Sequence, residues 1–548
     1  MPPTHDVRNQ PPPLEGYNLY ATDPILDEAV TAQGAKGSRD DLLAFGELAG
    51  GAETFHWGFE ANRHEPELTT HDRFGNRVDR VEFHPAWHSL LDRAVSHGLH
   101  SLPWEKDARE GAHVTRAALN YLAGQVESGH SCPISMTHSV VPALRTTPEV
   151  ADAWLPRITT RSYDRTFRPA HEKTGVLMGM GMTEKQGGSD VRANTSLAKP
   201  LNGGGPGMPY LVTGHKWFTS APMCDAFLVL AQAPRGLSCF LLPRWTPEDV
   251  PNAFHIQRLK DKLGNRSNAS SEVEFEDAWA LLIGEEGRGV RTIIEMVNGT
   301  RLDCVVGSVA LMRQAVSQAA WHVEHRSAFG SRLAEKPLMQ NVIADLEVEV
   351  EAATLMMTRI AGAFDRAESD PTEASIKRIA LPIAKYWVTK RTSEVVREAL
   401  ECLGGNGYVE ESIMPRLYRE SPVNAIWEGS GNVIVLDVLR AAGRSPDSLR
   451  KFIAELDAGL GVDERLDQAI ERARTAIDAT TDLEFEARRV VETMAIAWGG
   501  SLLAGHGVPE VFEAYASSRL TGRHGALFGT LPHGTDSSVI ARRALPVT

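Results

Sequence analysis

Cysteine is scarce in this chain of 548 residues, and the few that occur form no pattern. They are odd in number, scattered and never spaced as Cys-x-x-Cys: Cys132, Cys224, Cys239, Cys304 and Cys402. This argues against a disulfide framework and against a zinc site. We expect reduced thiols in a cytoplasmic protein.

Long apolar runs are also missing. The most apolar late segment, residues 494–504, is too short to cross a bilayer and contains two adjacent glycines. The first ten residues have mixed charge and lack the apolar core of a signal peptide. We therefore expect no membrane partner.

The chain has no excess of positive charge. Lys and Arg number 57 against 71 Asp and Glu, a net charge of −14. Such a balance offers no general attraction to a polyanion, so a nucleic-acid contact requires a local patch. The hydrophobic fraction of 42% is ordinary, and the length predicts several domains rather than one core.

Three types of sequence pattern follow one another along the chain. Residues 39–169 carry apolar residues at helical spacing. From about Gly175, short β-type runs separated by Gly and Pro predict a small barrel or sandwich. Long helical patterns return near residue 302 and predict a bundle, whose third helix ends at Gly404-Gly405.

Two stretches are less regular. Residues 1–36 are Pro-rich and then weakly helical, which is typical of a surface arm that packs on a neighbouring subunit. Residues 132–136, Cys-Pro-Ile-Ser-Met, favour a turn between helices, with a wall of a substrate cavity as the alternative.

The stretch Gly181–Asp190 reads as a strand end followed by a tight Gly-Gly turn and small polar residues. Paired glycines let a backbone approach a flat or charged ligand, and Thr183 and Ser189 add hydroxyls on either side. Bare turn glycines between strands are the alternative. The third glycine and the helix of a dinucleotide fingerprint are absent.

The order of residues in this stretch resembles the flavin signature of the acyl-CoA dehydrogenases. A small residue, Met, Thr and Glu precede Gly-Gly-Ser-Asp and Ala193. The resemblance implies that FAD is held here without a covalent link, by Met182, Thr183, Gly188 and Ser189.

A second stretch, Lys216–Ser220, follows a strand pattern and resembles the strand of that family that covers the flavin ring. An indole beside a hydroxyl can cover a planar ring and donate to it. The resemblance implies FAD contacts from Trp217, Phe218 and Thr219. A buried core tryptophan is the alternative.

Two further motifs resemble parts of the family that bind the FAD diphosphate and adenine. Arg326, Phe329 and Gln340 match an Arg-x-x-Phe-Gly run with a following Gln, which in the family reaches the cofactor of a partner subunit. The alternative is that Arg326 caps a helix end. Gly404 and Gly405 match a signature that opens with Gln, where this chain has Glu401.

The loop after this signature holds the candidate base. Glu428 lies between an aromatic and small residues, just before a helix over residues 433–442. The alternative is a solvated glutamate with Ser430 or Asn432 as helix N-cap. In the family, the catalytic Glu occupies this position, and Thr300 stands where a minority carry it. The same loop implies FAD contacts from Ile426, Trp427, Gly429, Ser430 and Asn432.

Two features resemble one branch of the family, which acts in the response to DNA alkylation. They are the amino-acid sequence of residues 259–270 and the presence of about a hundred extra residues after the loop. In that branch the C-terminal block is similar to a module that binds double-stranded DNA. The resemblance places DNA contacts at Arg440 and Arg519. Against this, residues 443–548 hold 12 basic and 15 acidic residues, the balance of an ordinary helical cap.

The resulting prediction is a mainly α protein with a central β-barrel, a fold similar to the acyl-CoA dehydrogenases, plus a C-terminal helical domain. The predicted domains are residues 1–178, 179–285, 286–442 and 443–548. The family implies a homotetramer in which Glu428 removes the α-proton of an acyl-CoA. Hydride then moves to FAD, and the Glu428 N–H with a flavin ribityl hydroxyl binds the thioester oxygen.

Two functions remain open. One is a flavoprotein that binds and protects duplex DNA during alkylation, with weak dehydrogenase activity towards substrates such as isovaleryl-CoA. The other is a metabolic dehydrogenase of short or branched acyl-CoA thioesters with an accessory C-terminal domain.

Overall fold

The structure is a computed structural model that describes residues 5–478 and 480–546. Its helices are α1 Pro24–Ala32, α2 Arg39–Gly50, α3 Ala52–Arg63, α4 Pro85–Ser96, α5 Ala112–Val126, α6 Ser131–Leu144, α7 Pro148–Ile158, α8 Gly289–His325, α9 Pro337–Arg366, α10 Pro371–Cys402, α11 Met414–Glu420, α12 Gly431–Arg444, α13 Pro446–Leu456, α14 Glu464–Thr475, α15 Ala487–His506, α16 Pro509–Tyr515 and α17 Ser537–Arg543. Its strands are β1 Glu67–His71, β2 Arg77–Glu82, β3 Met178–Gly181, β4 Leu197–Pro200, β5 Pro209–Ser220, β6 Ala226–Ala233, β7 Gly236–Pro243, β8 Phe254–Leu259, β9 Ser270–Ile283, β10 Ser327–Ala328 and β11 Ser331–Arg332.

These elements form two compact units. The helical unit takes the residues up to Phe55, residues 110–126 and the chain from Cys304 onward. The barrel unit takes residues 56–109 and 127–303. The predicted division into four domains follows other boundaries and stays a prediction.

The barrel unit is built on a closed sheet. Its strands pair in the order β6-β4-β5-β9-β7, and β7 pairs again with β6, so that five strands close on themselves. Closure leaves these strands without an exposed edge. The strand β6 is buried without interruption from Ala226 to Ala231, which explains its continuous apolar run. The predicted fold class, mainly α with a central barrel, is confirmed.

Two features of the barrel unit differ from the sequence expectation. The predicted helical block contains a hairpin, β1 paired with β2, whose charged residues conceal the alternation of a strand. The expected turn at residues 132–136 is wrong, because these residues lie within α6. Pro133 is the third residue of that helix, where a missing N–H costs no intrahelical hydrogen bond.

The core of the helical unit contains four carboxylates on α9. They occupy every second position from Asp345 to Glu351, and all four are buried. A buried charge without a partner is strongly destabilising, and each of these meets an arginine. The pairs are Arg519 with Asp345 at 2.5 Å, Arg313 with Glu347 at 2.8 Å, Arg391 with Glu349 at 3.2 Å and Arg543 with Glu351 at 2.5 Å. Two of these arginines belong to the C-terminal block, which is thereby fastened to α9.

The N-terminal segment packs on its own unit. The hydroxyl of Tyr17 donates to Gln314 at 3.2 Å, and the indole N–H of Trp321 donates to the Pro12 carbonyl at 2.8 Å. Tyr17 and Leu19 are buried. The expectation of a surface arm therefore does not hold for this part of the segment. Among the described residues, no helix is long and apolar enough to span a membrane.

Candidate functional site

The Gly-Gly turn of the barrel unit rests on a buried ion pair. The Lys216 ammonium lies 2.8 Å from a carboxylate oxygen of Glu184, and both side chains are almost fully buried. Glu184 also accepts the backbone N–H groups of Thr195 and Ser196, and Lys216 donates to the Leu230 carbonyl. Burial alone would raise the pKa of Glu184, but Lys216 lowers it to about 2. The pair fixes the base of the turn.

The turn and the tryptophan strand are joined directly. The Trp217 N–H donates to the Thr183 carbonyl at 2.8 Å, although the two residues are 34 positions apart. A Cβ at Gly188 would stand 2.3 Å from the Thr183 hydroxyl, so a side chain there would displace that hydroxyl. Met182 is half-buried and Ser189 is exposed at the rim of the turn. The structure therefore brings together the residues predicted in this unit.

The hydroxyl of Thr219 is buried and has no hydrogen-bond partner among the described residues. Buried polar groups are hydrogen-bonded in the great majority of cases, and an orphan calls for an explanation. A hydroxyl that lies one residue beyond exposed Phe218 and two beyond Trp217 fits a ligand that carries polar atoms on a flat ring. The flavin of FAD is such a ligand, so the residues present fit the predicted cofactor.

The predicted base occupies a strained position in the helical unit. The backbone of Glu428 is left-handed, with φ of +56°, and the side chain is half-buried. A non-glycine residue in this region costs about 1–3 kcal/mol and persists only where its surroundings enforce it. Gly429 follows with φ of +110°, and Ser430 is the N-cap position of α12 without a side-chain cap bond.

Lys385 enforces this conformation. Its buried ammonium donates to the carbonyls of Trp427 at 2.9 Å and of Gly429 at 2.5 Å, one on each side of Glu428. The Trp427 indole donates to Asn424 at 2.8 Å. The loop is therefore pinned at its backbone. Before this pinned segment, Ile426 is 65% exposed. After it, the side-chain oxygen of Asn432 accepts from Arg488 at 2.9 Å.

The Arg326 motif forms a small hairpin at the end of α8. Arg326 donates its N–H to the His322 carbonyl, and β10 pairs with β11 around Phe329 and Gly330. Both turn residues have positive φ, as a two-residue hairpin turn requires. Phe329 is 98% exposed at the tip. Gln340 lies in the first turn of α9 and donates to the Ala334 carbonyl.

The Gly404-Gly405 motif ends α10, as its sequence predicts. Gly404 has φ of +59°, and a Cβ on either glycine would meet open space. Tyr408 beyond it is exposed. Glu401, which replaces the family's Gln, is exposed and lies 3.7 Å from Arg397. This cation offsets part of the negative charge that the substitution introduces.

The two predicted DNA contacts differ in their surroundings. Arg440 is exposed on α12, and no carboxylate among residues 5–478 and 480–546 pairs with it. Arg519 is buried, 2.5 Å from Asp345 and 3.0 Å from Glu349. A phosphate contact by Arg519 would require these pairs to break. The guanidinium of Arg519 thus serves the structure of the C-terminal block.

Sequence reasoning missed the residues that hold the site in place. Glu184 and Lys216 lie inside the quoted motifs, so their charge and spacing offered a signal. Lys385 lies about forty residues before the loop it holds, on a helix whose other charges are exposed or half-buried. No local sequence pattern around Lys385 indicates this role.

Three family descriptions match the sequence. "Adaptive response protein AidB N-terminal domain" matches residues 9–165, "Acyl-CoA dehydrogenase, middle domain" matches residues 179–278, and "Acyl-CoA dehydrogenase, C-terminal domain" matches residues 287–443. The matches cover the motif residues of both units up to α12.

Whole-chain comparisons agree with these matches. The chain is 44% identical over 526 residues to "Putative acyl-CoA dehydrogenase AidB" of Escherichia coli (strain K12), which covers 95% of each chain. Its fold is similar to Caenorhabditis elegans ACDH-11 in complex with C11-CoA, with a TM-score of 0.82, 27% identity and 99% and 94% coverage. It is also similar to the structure named "Bd2924 apo-form", with a TM-score of 0.83, 27% identity and 92% and 100% coverage.

Proposed function

The chain belongs to the acyl-CoA dehydrogenase family, within its AidB branch, and from this membership we propose a function in the response to DNA alkylation. In this proposal it is an FAD-dependent oxidoreductase that acts slowly on acyl-CoA thioesters and binds duplex DNA through α12 and its C-terminal block. The observation that carries the flavin part is the buried Thr219 hydroxyl without a partner, beside Trp217 and the Gly-Gly turn.

The barrel unit would hold the flavin ring. Trp217 offers an aromatic face, Thr219 a hydroxyl, and the turn from Thr183 to Ser189 offers backbone N–H groups and hydroxyls that suit polar ring edges and phosphates. When bound, FAD supplies an acceptor for the hydride that leaves the β-carbon of the thioester. Arg326, Gln340 and the Gly404-Gly405 turn would hold the diphosphate and adenine.

Glu428 would act as the base. Its carboxylate takes the α-proton of the thioester, and its own N–H donates to the carbonyl oxygen, which gains negative charge as the proton leaves. Lys385 positions both groups because it pins the carbonyls on either side of Glu428. A base held in a single conformation reacts without a prior rearrangement.

The flavin part is tested on the purified protein. We expect one FAD per chain after reconstitution, and slow loss of the oxidised flavin absorbance when isovaleryl-CoA is added without oxygen. Protein that stays colourless after incubation with FAD would refute the proposal. The C11-CoA bound to the C. elegans relative makes longer acyl chains a second arm of the same assay.

The DNA part rests on the AidB relationship and on exposed arginines. Arg440 is exposed on α12, and Arg472 and Arg523 line a cavity of about 590 Å³ together with Arg465 and Arg519. Arg465 and Arg519 have carboxylate partners. Arginines without such partners suit phosphate oxygens.

Arg440→Ala tests this part, with Arg450→Ala as matched control. Both changes remove one exposed arginine near the C-terminal block, but Arg450 is already paired with Asp447 at 3.1 Å. We expect Arg440→Ala to weaken duplex binding several-fold and to reduce its salt dependence by about one unit of slope, with little effect of the control. Equal effects of both changes would refute a specific phosphate contact at Arg440.

The second candidate is a metabolic dehydrogenase of short or branched acyl-CoA thioesters. The burial of Arg519 and the excess of acidic residues after residue 442 favour it. It predicts rapid flavin reduction by one acyl-CoA and no duplex binding at low salt. The alkylation-response function predicts the reverse on both counts.

The proposal includes a homotetramer. Phe329, an exposed aromatic at the tip of a tight hairpin, supports a contact with another subunit. Light scattering of the purified protein tests this, and a monomer at micromolar concentration would refute it.

A further inference from the structure

The surroundings of Trp217 in the barrel unit carry a surplus of positive charge. Three cations lie over the indole, at distances from the ring centroid of 3.6 Å for Lys260, 5.4 Å for Lys185 and 5.9 Å for Arg258. Two carboxylates pair with them. Glu272 lies 2.5 Å from Lys260 and 2.7 Å from Arg258, and Glu274 lies 3.9 Å from Lys185. Three cations against two anions leave one positive charge.

A β-bulge creates this arrangement. In the pairing of β5 with β9, Lys216 faces Val273 and Thr219 faces Ser271, so that Trp217 and Phe218 together stand opposite Glu272. Such a two-against-one bulge re-aims side chains and is frequent beside functional sites. It explains why Lys260 reaches both rings, at 3.6 Å from Trp217 and 4.6 Å from Phe218.

Lys260 is the cation that lies nearest to the indole, and it is largely shielded from water. Its side chain is 12% exposed, whereas that of Arg258 is 64% exposed. Its backbone N–H donates to the Ser270 carbonyl at 2.7 Å, and Glu272 fixes its ammonium. A charge shielded from water interacts more strongly with its surroundings than an exposed one. The ammonium is therefore the nearest of the three cations to the Trp217 ring, and its position is fixed by a carboxylate.

We propose that Lys260 is a positioning residue for the flavin, which holds a positive charge against Trp217 and Phe218 and raises the reduction potential of FAD bound beside them. This inference rests on the proposed FAD binding. Reduction adds negative charge to the flavin ring, and a fixed positive charge beside the indole stabilises that state over the oxidised one. Glu272 is the group that keeps the ammonium in place.

Three variants of the FAD-loaded protein test the inference. Lys260→Met removes the near charge, Arg258→Met removes the same charge from the farther, exposed position, and Lys260→Arg keeps a charge. The measurement is the midpoint potential of the bound flavin by equilibration with a reference dye, with FAD content determined in parallel. We expect a lower potential in Lys260→Met, a smaller change in Arg258→Met and a nearly unchanged value in Lys260→Arg.

A potential in Lys260→Met equal to that of the unaltered protein would overturn the inference, as would an equal decrease in Arg258→Met. Should Lys260→Met not fold, Lys260→Gln replaces it and the same outcomes apply. Unaltered protein that binds no FAD would refute the proposed function itself. Unaltered protein that binds FAD, with variants of unchanged potential, refutes only the role of Lys260.

Discussion

Removal of the unpartnered Thr219 hydroxyl should have opposite effects on two quantities: the stability of the FAD-free protein and its affinity for FAD. Thr219→Val keeps the shape of the side chain and removes the hydroxyl. That hydroxyl is buried and makes no hydrogen bond among the described residues. In the FAD complex, the same hydroxyl would donate to or accept from the flavin. Removing it should therefore help the free protein and harm the complex.

Both effects have a magnitude. A buried polar group without a partner costs about 1–3 kcal/mol, so the valine variant should be more stable than the unaltered protein by about 1 kcal/mol or more without FAD. A net hydrogen bond contributes about 1 kcal/mol, so its loss should weaken FAD binding about fivefold.

Two assays measure these effects on the same samples. Thermal unfolding of the FAD-free protein should shift upwards by about 2–4 °C, as expected for a unit of this size. FAD affinity, from the quenching of flavin fluorescence on titration, should fall. Thr213→Val is the control, because its hydroxyl is exposed and already bonded to Asp277 at 2.7 Å. A variant that is destabilised without FAD, or that binds FAD as tightly as before, would refute the reasoning.

Three further predictions concern the groups that support the site. Lys216→Met leaves Glu184 as a buried charge without its cation, so the free energy of unfolding of the barrel unit should fall by about 3–5 kcal/mol, and a loss below about 1 kcal/mol in urea titrations would contradict this. The pKa of Glu184 is lowered to about 2 from an unfolded value of about 4.3, so its stabilisation is complete above pH 4.3 and is lost as the pH falls through 2. Urea unfolding midpoints measured from pH 6 to 2 should show this loss, and Glu184→Gln should make the loss smaller. A Glu184→Gln variant with the same pH dependence as the unaltered protein would show that the loss does not come from Glu184. Lys385→Met should release the Glu428 loop and slow flavin reduction by about tenfold or more at unchanged FAD content, while Lys377→Met on the same helix should have little effect.

The proximity of the Gly-Gly turn to Trp217 was accessible from sequence because the residues lie in two contiguous motifs, whereas their contact with a flavin stays a prediction. Each motif fixes its own local geometry, and a single backbone hydrogen bond from Trp217 to Thr183 joins them. The β-bulge at Trp217 could not be predicted, since it depends on the register of β5 against β9. For the same reason Lys260 and Glu272 could not be assigned to the indole.

The C-terminal arginines show the limit of reasoning by resemblance. By its place in a motif Arg519 matches a DNA contact, whereas its burial depends on carboxylates some 170 residues earlier in α9. Asp and Glu are almost never fully buried unless they are paired, so four carboxylates in one helix favour exposed positions when only the sequence is known. The sequence of α9 therefore concealed that Asp345 and Glu349 face arginines in the core.

The hairpin of β1 and β2 was missed for a similar reason. Its strands carry charged residues on exposed positions and only half-buried apolar residues between them, so the alternation of apolar and polar residues is weak. Strand pairing here is decided by contacts that a local pattern does not contain. The end of α10 beside Gly404-Gly405 agrees with the sequence pattern, because a helix stop signal is local, whereas its start at Pro371 lies about twelve residues before the predicted one.

The central claim is that Glu428 removes a proton from an acyl-CoA thioester whose hydride passes to FAD. The most direct test is the absorbance of oxidised flavin after anaerobic mixing of isovaleryl-CoA with the FAD-loaded protein and with Glu428→Gln. The account predicts that the unaltered protein loses this absorbance, while Glu428→Gln retains its FAD and remains oxidised. Reduction of Glu428→Gln at the rate of the unaltered protein would contradict it.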